Sequence, residues 1–483
     1  MIIKIINTIF PFADFLYILQ MEEYSGARYI YWLKRFFWKR GFQKRQHLVM
    51  TARAQIIYTM SIVLFACVWH VVLAILIPNF ILAHCIPVTS SAYMPGFPSC
   101  EQMFLQNLIA IHIFALSFVF VPLIVLLAHI ITTPFFSIMK SRRMQKAHDL
   151  ISTQNPGIKI IAIAGGYGKT SIKNYLFQLV LHSYRTQMIE GNINTPLGIA
   201  DWVLNKLRPE TQLLIVEMDT YERGEIAASC SITQPDIAIL TNIGDQHLAR
   251  FPSEEDHTHA LAEIFTNTKP GGLCVTRERT GDSISHLSIN LDDRKRLLVH
   301  DDDNAYPDIK EDTSHLNLVQ KSNLTLALHV AKYLDIPSRF VSEVIRTPLQ
   351  VDRRGVVSNV YGFDGIDDSY NISFTTASIS IGRAEVYARE KRKKLLVVTA
   401  GIPELSIQNR DKNEKLGHLL AEKAHHTYIL SSMFKNEIVR GFGKSDHFTV
   451  VKDLSEFVST ASASHPPSEY VLLVLPELND LYY

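Results

Sequence analysis

The sequence predicts an α/β protein with two doubly wound domains in series, preceded by two apolar helices long enough to cross a membrane. Three observations predict it. From residue 158 onward, short apolar runs alternate with helical patterns, as in successive strand–helix–strand units. The first of these runs breaks into Gly165-Gly166-Tyr167-Gly168, then Lys169-Thr170-Ser171, then a helical pattern through Leu179. Residues 56–77 and 108–132 are apolar and carry no Lys, Arg, Asp or Glu, and each exceeds the roughly 18 residues that a spanning helix needs. The length of 483 residues leaves room for about three domains. A net charge of +1 supplies no global field that would favour nucleic acid.

The charges flanking the two spans set an orientation. Lys34, Arg35, Lys39, Arg40, Lys44, Arg45 and Arg53 precede the first span, and Lys140, Arg142, Arg143 and Lys146 follow the second. The intervening loop, 78–107, has no Lys or Arg. Positive residues stay on the cytoplasmic side, so both termini are expected there. The basic stretch ahead of span one argues against a cleaved signal peptide. Cys85 and Cys100 then share the outer loop and would pair in an oxidising compartment. None of the five cysteines falls in a CxxC or zinc spacing. His112 and His129 lie within the second span, where polar groups are costly; function and packing against the other helix both account for them. Residues 29–42 mix Trp32, Phe36, Phe37 and Trp38 with basic residues, which suits a helix in the membrane interface or a third, partial membrane element.

In the soluble part, residues 160–164 read as a buried parallel strand ending at the glycine loop. Glycines let a backbone approach a phosphate, and the following helix start supplies free N–H groups. Lys169 is placed to reach outer phosphates and Thr170 to hold Mg²⁺. Ile163 stands where the full P-loop consensus has its first glycine. A tight turn with a surface lysine would use the same residues. Residues 190–200 form a loop-like stretch rich in turn formers. Two more apolar runs follow, 213–216 ending at Glu217 and 236–240 ending before His247. In open α/β sheets ligands collect at the carboxyl ends of strands. Glu217 and His247 are therefore candidates for holding hard cations there. A capped strand end and a surface histidine are the plainer alternatives. Residues 301–313 should be an acidic loop and 321–334 a helix, with Asn323 near its start as a capping-region residue. Residues 352–355 look like a hinge into a last domain, with strands at 365–367, 395–399, 428–430 and 470–475.

Taken in order, these residues resemble the Mur ligase family of ATP-dependent amide ligases, in the branch that adds D-alanyl-D-alanine to a UDP-muramoyl tripeptide. The resemblance runs from about residue 160 to the end. It rests on the short glycine loop, on Glu217-Met218-Asp219 with Gly224-Glu225-Ile226, and on Leu240-Thr241-Asn242-Ile243 with His247-Leu248. Asn323 in an alanine-bearing helix, then Arg353 with Asp367-Asp368-Ser369-Tyr370-Asn371, complete it. It implies a central P-loop ATPase-like domain (133–347) and a C-terminal Rossmann-like domain (348–483), after a basic segment (1–55) and two spans (56–132). It implies ATP and Mg²⁺ as cofactors, with a carboxylate phosphorylated to an acyl phosphate that an amine then attacks. Gly165, Gly166, Gly168, Lys169, Thr170 and Ser171 would form the phosphate cradle. Thr170 and Glu217 would hold one Mg²⁺, and His247 would help hold a second. Asn323 would contact adenine, and Arg353 and Asp368 would approach from a closing C-terminal domain. Lys169, His247, Arg353 and Asp368 are the implied catalytic set.

Three departures qualify what the resemblance implies. Leu261 stands where the family usually has a lysine that is carbamylated and helps hold the second metal. Tyr167 and Asp219 replace the usual Asn and Gly, and Ser373-Phe374 stands where Asn-Pro is common. Two spans stand where the family usually has a small domain that recognises the UDP-muramoyl substrate. The expectation is a bacterial membrane protein with its ligase domains in the cytoplasm, joining an amino acid or dipeptide to a cell-wall peptide precursor, which the architecture suggests is lipid-linked. The alternative is a non-catalytic nucleotide-binding protein that scaffolds cell-wall enzymes at the membrane.

Overall fold

A computed structural model describes residues 11–22, 24–36, 48–85, 100–191, 193–244, 248–309, 313, 316, 318–346, 356–369, 373–402, 409–431 and 434–475. The chain divides into two compact units, one up to Lys140 and one from Ser141 onward.

The first unit is helical. Helices Phe12–Met21, Gly26–Phe36 and Ala52–Cys85 join the first part of a long helix, Cys100–Gln154. Phe12, Leu16, Tyr17 and Tyr29 are buried with Ile57, Tyr58, Phe65, Val121 and Val125. Outward lie Val63, Leu123, Leu127, Ile130, Ile131 and Phe135, all exposed and apolar. Ala52–His70 and Phe120–Gln154 are long and apolar enough to cross a membrane. Inside these helices the hydroxyls of Ser61 and Thr132 donate to carbonyls one turn back, Ile57 O at 2.7 Å and Ala128 O at 2.8 Å, the local solution for a polar group among apolar neighbours. His112 and His129 also find partners on their own helix: His112 Nδ1 lies 2.7 Å from Leu108 O, and His129 Nδ1 lies 3.4 Å from Thr133 Oγ1. His129 is buried, with its ring 6.5 Å from that of Tyr24, whereas His112 is exposed, so burial favours the packing reading for His129 alone. The helix expected over 108–132 runs on to Gln154, past Pro122 and Pro134. Loop 86–99 and the side chains of Cys85 and Cys100 lie outside the described residues.

The second unit holds two sheets. In the first, β1 (Lys159–Ala164), β2 (Thr186–Met188), β3 (Leu213–Glu217), β4 (Ile237–Leu240), β5 (Leu273–Arg277) and β6 (Lys295–Val299) lie in the order β2-β3-β1-β4-β5-β6. The described pairs are all parallel. Successive residues of β1 face opposite sides. Ile161 and Ile163 pack with Ile172, Leu176, Leu326 and Val330. Ile160, Ala162 and Ala164 pack with Ala147, Ile199, Ile226, Leu261 and Phe265 on the other face. The chain leaves β1 toward β2 and β3 and returns on β1's other side as β4, so β1 is the switch point where a crevice opens at the strands' carboxyl ends.

The second sheet contains β7 (Val356–Val360), β8 (Phe363–Asp367), β9 (Lys394–Thr399), β10 (His426–Leu430), β11 (Phe448–Val451) and β12 (Tyr470–Val474), in the order β11-β10-β9-β12-β8-β7. It is parallel except at its edge, where β7 and β8 form a hairpin. Both turn residues of that hairpin, Tyr361 and Gly362, have positive φ, which matches the twist of the flanking strands. Helices Phe374–Glu390, Asn409–Lys423, Lys435–Phe442 and Leu454–Ser464 connect these strands, as a doubly wound unit requires. β2, β5, β6, β7 and β11 carry too few apolar residues, or too short a run of them, to stand out in the sequence.

Candidate active site

β1 carries five residues with no exposure, from Ile160 to Ala164, because it is central and covered on both faces. It ends where side chains no longer fit. Gly165 has φ +133°, and a Cβ there would lie 2.2 Å from Thr241 Oγ1. A Cβ on Gly166 would lie 2.7 Å from Gly244 N. Gly168 has φ +87° and caps the next helix in the left-handed region. The loop is held by the segment after β4. Asn242 Oδ1 accepts from Tyr167 N at 3.2 Å, while Asn242 Nδ2 and Thr241 Oγ1 both donate to Tyr167 O at 2.7 Å. Tyr167 is thus fixed through its backbone.

Helix Lys169–Val180 begins without a capping side chain, so its first N–H groups are available to an anion. Lys169 is 5 % exposed; its Nζ donates to Gly165 O at 2.6 Å and lies 3.4 Å from Asp219 Oδ1. Thr170 Oγ1 donates to Glu217 Oε2 at 2.9 Å, so the first residue past the lysine meets the last residue of β3. One turn on, Lys173 is buried as well, with Nζ 3.1 Å from the same Glu217 Oε2. Ser171 is half-buried beside them.

Asn323 sits on the sixth residue of helix Leu318–Tyr333, buried against the glycine loop. A Cβ on Gly168 would come within 2.7 Å of its Oδ1. It is therefore not a capping residue. Its Oδ1 accepts from Arg277 Nη2 at 2.9 Å. Arg277, at the end of β5, also donates to Ser322 Oγ at 2.6 Å and to Thr241 O, and Ser322 in turn donates to Asp301. Burial pulls the Arg277 guanidinium below its ordinary range, and the nearby Asp301 carboxylate opposes that.

Gly165, Gly166, Gly168, Lys169, Thr170, Glu217 and Asn323 are thus brought to one crevice. His247 and Arg353 lie outside the described residues. Asp368 follows β8 in the second sheet; Ser380 Oγ donates to its Oδ2, and its charge opposes the burial that draws Arg383 below the usual guanidinium range. Leu261 lies within helix Glu254–Thr266, 2 % exposed, in the apolar cluster on one face of the first sheet. Lys173, Asp219 and Arg277 join the site without having been candidates for it. For Lys173 a signal exists: it follows Lys169 by four residues, on a helix face that otherwise reads as core. For Arg277 no local pattern marks it.

These residues fit a magnesium-bound nucleotide. The glycines leave room for phosphate oxygens against the backbone, Lys169 supplies a cation, and Thr170 Oγ1 with Glu217 supplies oxygen donors of the kind Mg²⁺ takes.

The same part of the chain is similar to known proteins. Residues 163–329 match the family model described as the Mur ligase middle domain. The UDP-N-acetylmuramoyl-tripeptide--D-alanyl-D-alanine ligase of Bacillus subtilis (strain 168) is 24 % identical over 331 residues, covering 63 % of this chain and 71 % of that one. The protein of the same name from Rickettsia prowazekii is 34 % identical over 126 residues, covering 26 % of this chain and 28 % of its own. Among solved structures, the MurF ligase from Thermotoga maritima in complex with ADP superposes with a TM-score of 0.59 at 21 % identity, over 70 % of this chain and 80 % of that one. MurF from Acinetobacter baumannii gives 0.57 at 21 % identity, over 70 % and 77 %.

Proposed function

We propose that this chain, a member of the Mur ligase family, is a membrane-anchored ATP-dependent peptide ligase that extends a cell-wall peptide precursor. The observation that carries the reading is the convergence of Lys169, Thr170 and Glu217 on a glycine loop at the sheet's switch point. ATP would supply a phosphoryl group to a substrate carboxylate; the resulting acyl phosphate would be attacked by an amine, with phosphate leaving. Catalysis of this kind is mostly positioning and charge neutralisation. Lys169 would move from Gly165 O and Asp219 to the phosphate oxygens. The loop amides and the uncapped helix start would orient those oxygens. Thr170 and Glu217 would hold the Mg²⁺ ion, and Asn323 would face adenine. His247 would add a donor for a second ion, and Arg353 and Asp368 would complete the site as the C-terminal domain closes.

The two long apolar helices and the charge bias of their flanks support anchoring in a bacterial inner membrane, with both termini cytoplasmic. A site held at that surface favours a lipid-linked acceptor over a soluble nucleotide sugar. One observation favours a second reading, an anchored scaffold that binds nucleotide without turnover: Leu261 is buried in apolar core where the resemblance expects a metal-holding lysine.

The test is Mg·ATP binding by the detergent-solubilised full chain, wild type beside Lys169→Ala. Loss of a charge-assisted contact of about 1.5–3 kcal/mol should weaken binding roughly 10- to 150-fold and abolish turnover. Equal binding by both proteins would remove the glycine loop from the mechanism. Binding without turnover on either soluble or lipid-linked muramoyl peptide would favour the scaffold.

A further inference from the structure

Helix Lys169–Val180 presents two buried lysines one turn apart, and the end of β3 presents two buried carboxylates two residues apart. They pair off: Lys169 Nζ lies 3.4 Å from Asp219 Oδ1, and Lys173 Nζ lies 3.1 Å from Glu217 Oε2. Each pair also has a third member in the segment that follows β2. Lys173 Nζ donates to Ile189 O at 3.1 Å and to Gly191 O at 3.2 Å. Asp219 Oδ2 accepts from Asn194 Nδ2 at 3.4 Å, and Asp219 N donates to Asn194 O at 3.0 Å. The described residues of segment 189–195, which are 189–191 and 193–195, lead into helix Pro196–Lys206, whose N-cap is Thr195.

Lys173 has three N–H donors, and they meet three acceptors, one on the carboxylate and two on the segment. It is a buried tie with no spare donor. Lys169 is in a different position. It meets two acceptors, Gly165 O and Asp219, so one N–H is left, and meeting more than one phosphate oxygen requires it to release a partner. When it moves, Asp219 loses a cation at 3.4 Å and keeps its link to Asn194. When Glu217 and Thr170 turn to a metal ion, Lys173 follows Glu217 or releases it. Either change is felt at 189–195.

We propose that Lys173 and Asp219 are positioning residues that couple the phosphate and metal groups to segment 189–195, so that Mg-nucleotide binding alters the order of that segment. By linkage, a ligand held by the segment would change nucleotide affinity by the same factor. This rests on the nucleotide site proposed above.

Amide hydrogen exchange of the detergent-solubilised full chain tests it, with and without Mg·ADP, and binding is measured separately by calorimetry. In the wild type, exchange across 189–195 should change at least threefold on binding. In Lys173→Met, at an Mg·ADP concentration that calorimetry shows to be saturating, that change should fall below a third of its wild-type size. Asp219→Asn, which keeps the side chain's shape, should reduce the change at Asn194 and serves if Lys173→Met does not fold. A merely structural role would raise exchange equally with and without nucleotide, and that result overturns the proposal. Wild-type binding with no change at 189–195 overturns it too and leaves the nucleotide site standing. No Mg·ADP binding by folded wild type removes both.

Discussion

Replacing Leu261 with lysine introduces the residue type that the sequence resemblance expects at a second metal site. The structure predicts the opposite of a rescue. Leu261 is 2 % exposed, on a helix face whose neighbours His257, Ala260, Ile264 and Phe265 are buried too. The closest carboxylate in sequence, Glu263, is committed: its oxygens accept from Gly224 N at 2.7 Å and Ala227 N at 3.1 Å, across the start of helix Glu225–Thr233. An ammonium at 261 would have to compete with these two N–H groups for that carboxylate. Losing the buried leucine costs about 2–3 kcal/mol, partly recovered by the lysine stem. The buried charge adds several kcal/mol, less what the chain regains by relaxing. A net loss of about 3–5 kcal/mol would lower the melting temperature by roughly 6–20 °C. The assay is thermal melting of detergent-solubilised Leu261→Lys with and without bicarbonate, alongside ATP turnover. A variant that melts within about 2 °C of wild type and gains bicarbonate-dependent turnover would show that position 261 faces the site, and the reasoning would fail.

Two further perturbations read the glycine-loop site. Asp219→Asn frees Lys169 from a buried anion and should tighten nucleotide binding about 5- to 10-fold, a gain of roughly 1–1.4 kcal/mol; calorimetry that finds weaker binding would place Asp219 among the metal-holding groups instead. Gly168→Ala forces a side chain into φ +87° and into Asn323, 2.7 Å from its Oδ1, so about 1–2 kcal/mol of strain should appear as a comparable loss of nucleotide affinity, seen in the same titration.

Much of this was legible locally. The apolar run ending in Gly165-Gly166-Tyr167-Gly168, followed by Lys169-Thr170, announces a strand, a phosphate-sized loop and a helix start, because each feature is a property of a few neighbouring residues. The same holds for the two long apolar helices and for Glu217 at a strand end. The loop-like reading of 190–200 stopped short: Thr195 caps and Pro196 starts a helix there, with Thr195 Oγ1 accepting from Gly198 N at 3.3 Å.

By itself, then, the sequence determined the alternation of strands and helices, the position of the loop lysine and hydroxyl, and the two membrane-length helices. Hydrophobic period and turn chemistry act over a few residues. The tertiary structure decided what meets what. Placing β1 between β3 and β4 brings Glu217 to Thr170 and Asn242 to Tyr167. The turn of helix Lys169–Val180 against β3 gives Lys173 its carboxylate, the end of β5 gives Asn323 its arginine, and the face of helix Glu254–Thr266 puts Leu261 in the core. Strand order is chosen by burying both faces of a sheet through right-handed crossovers, a constraint on the whole domain that no short stretch of chain carries.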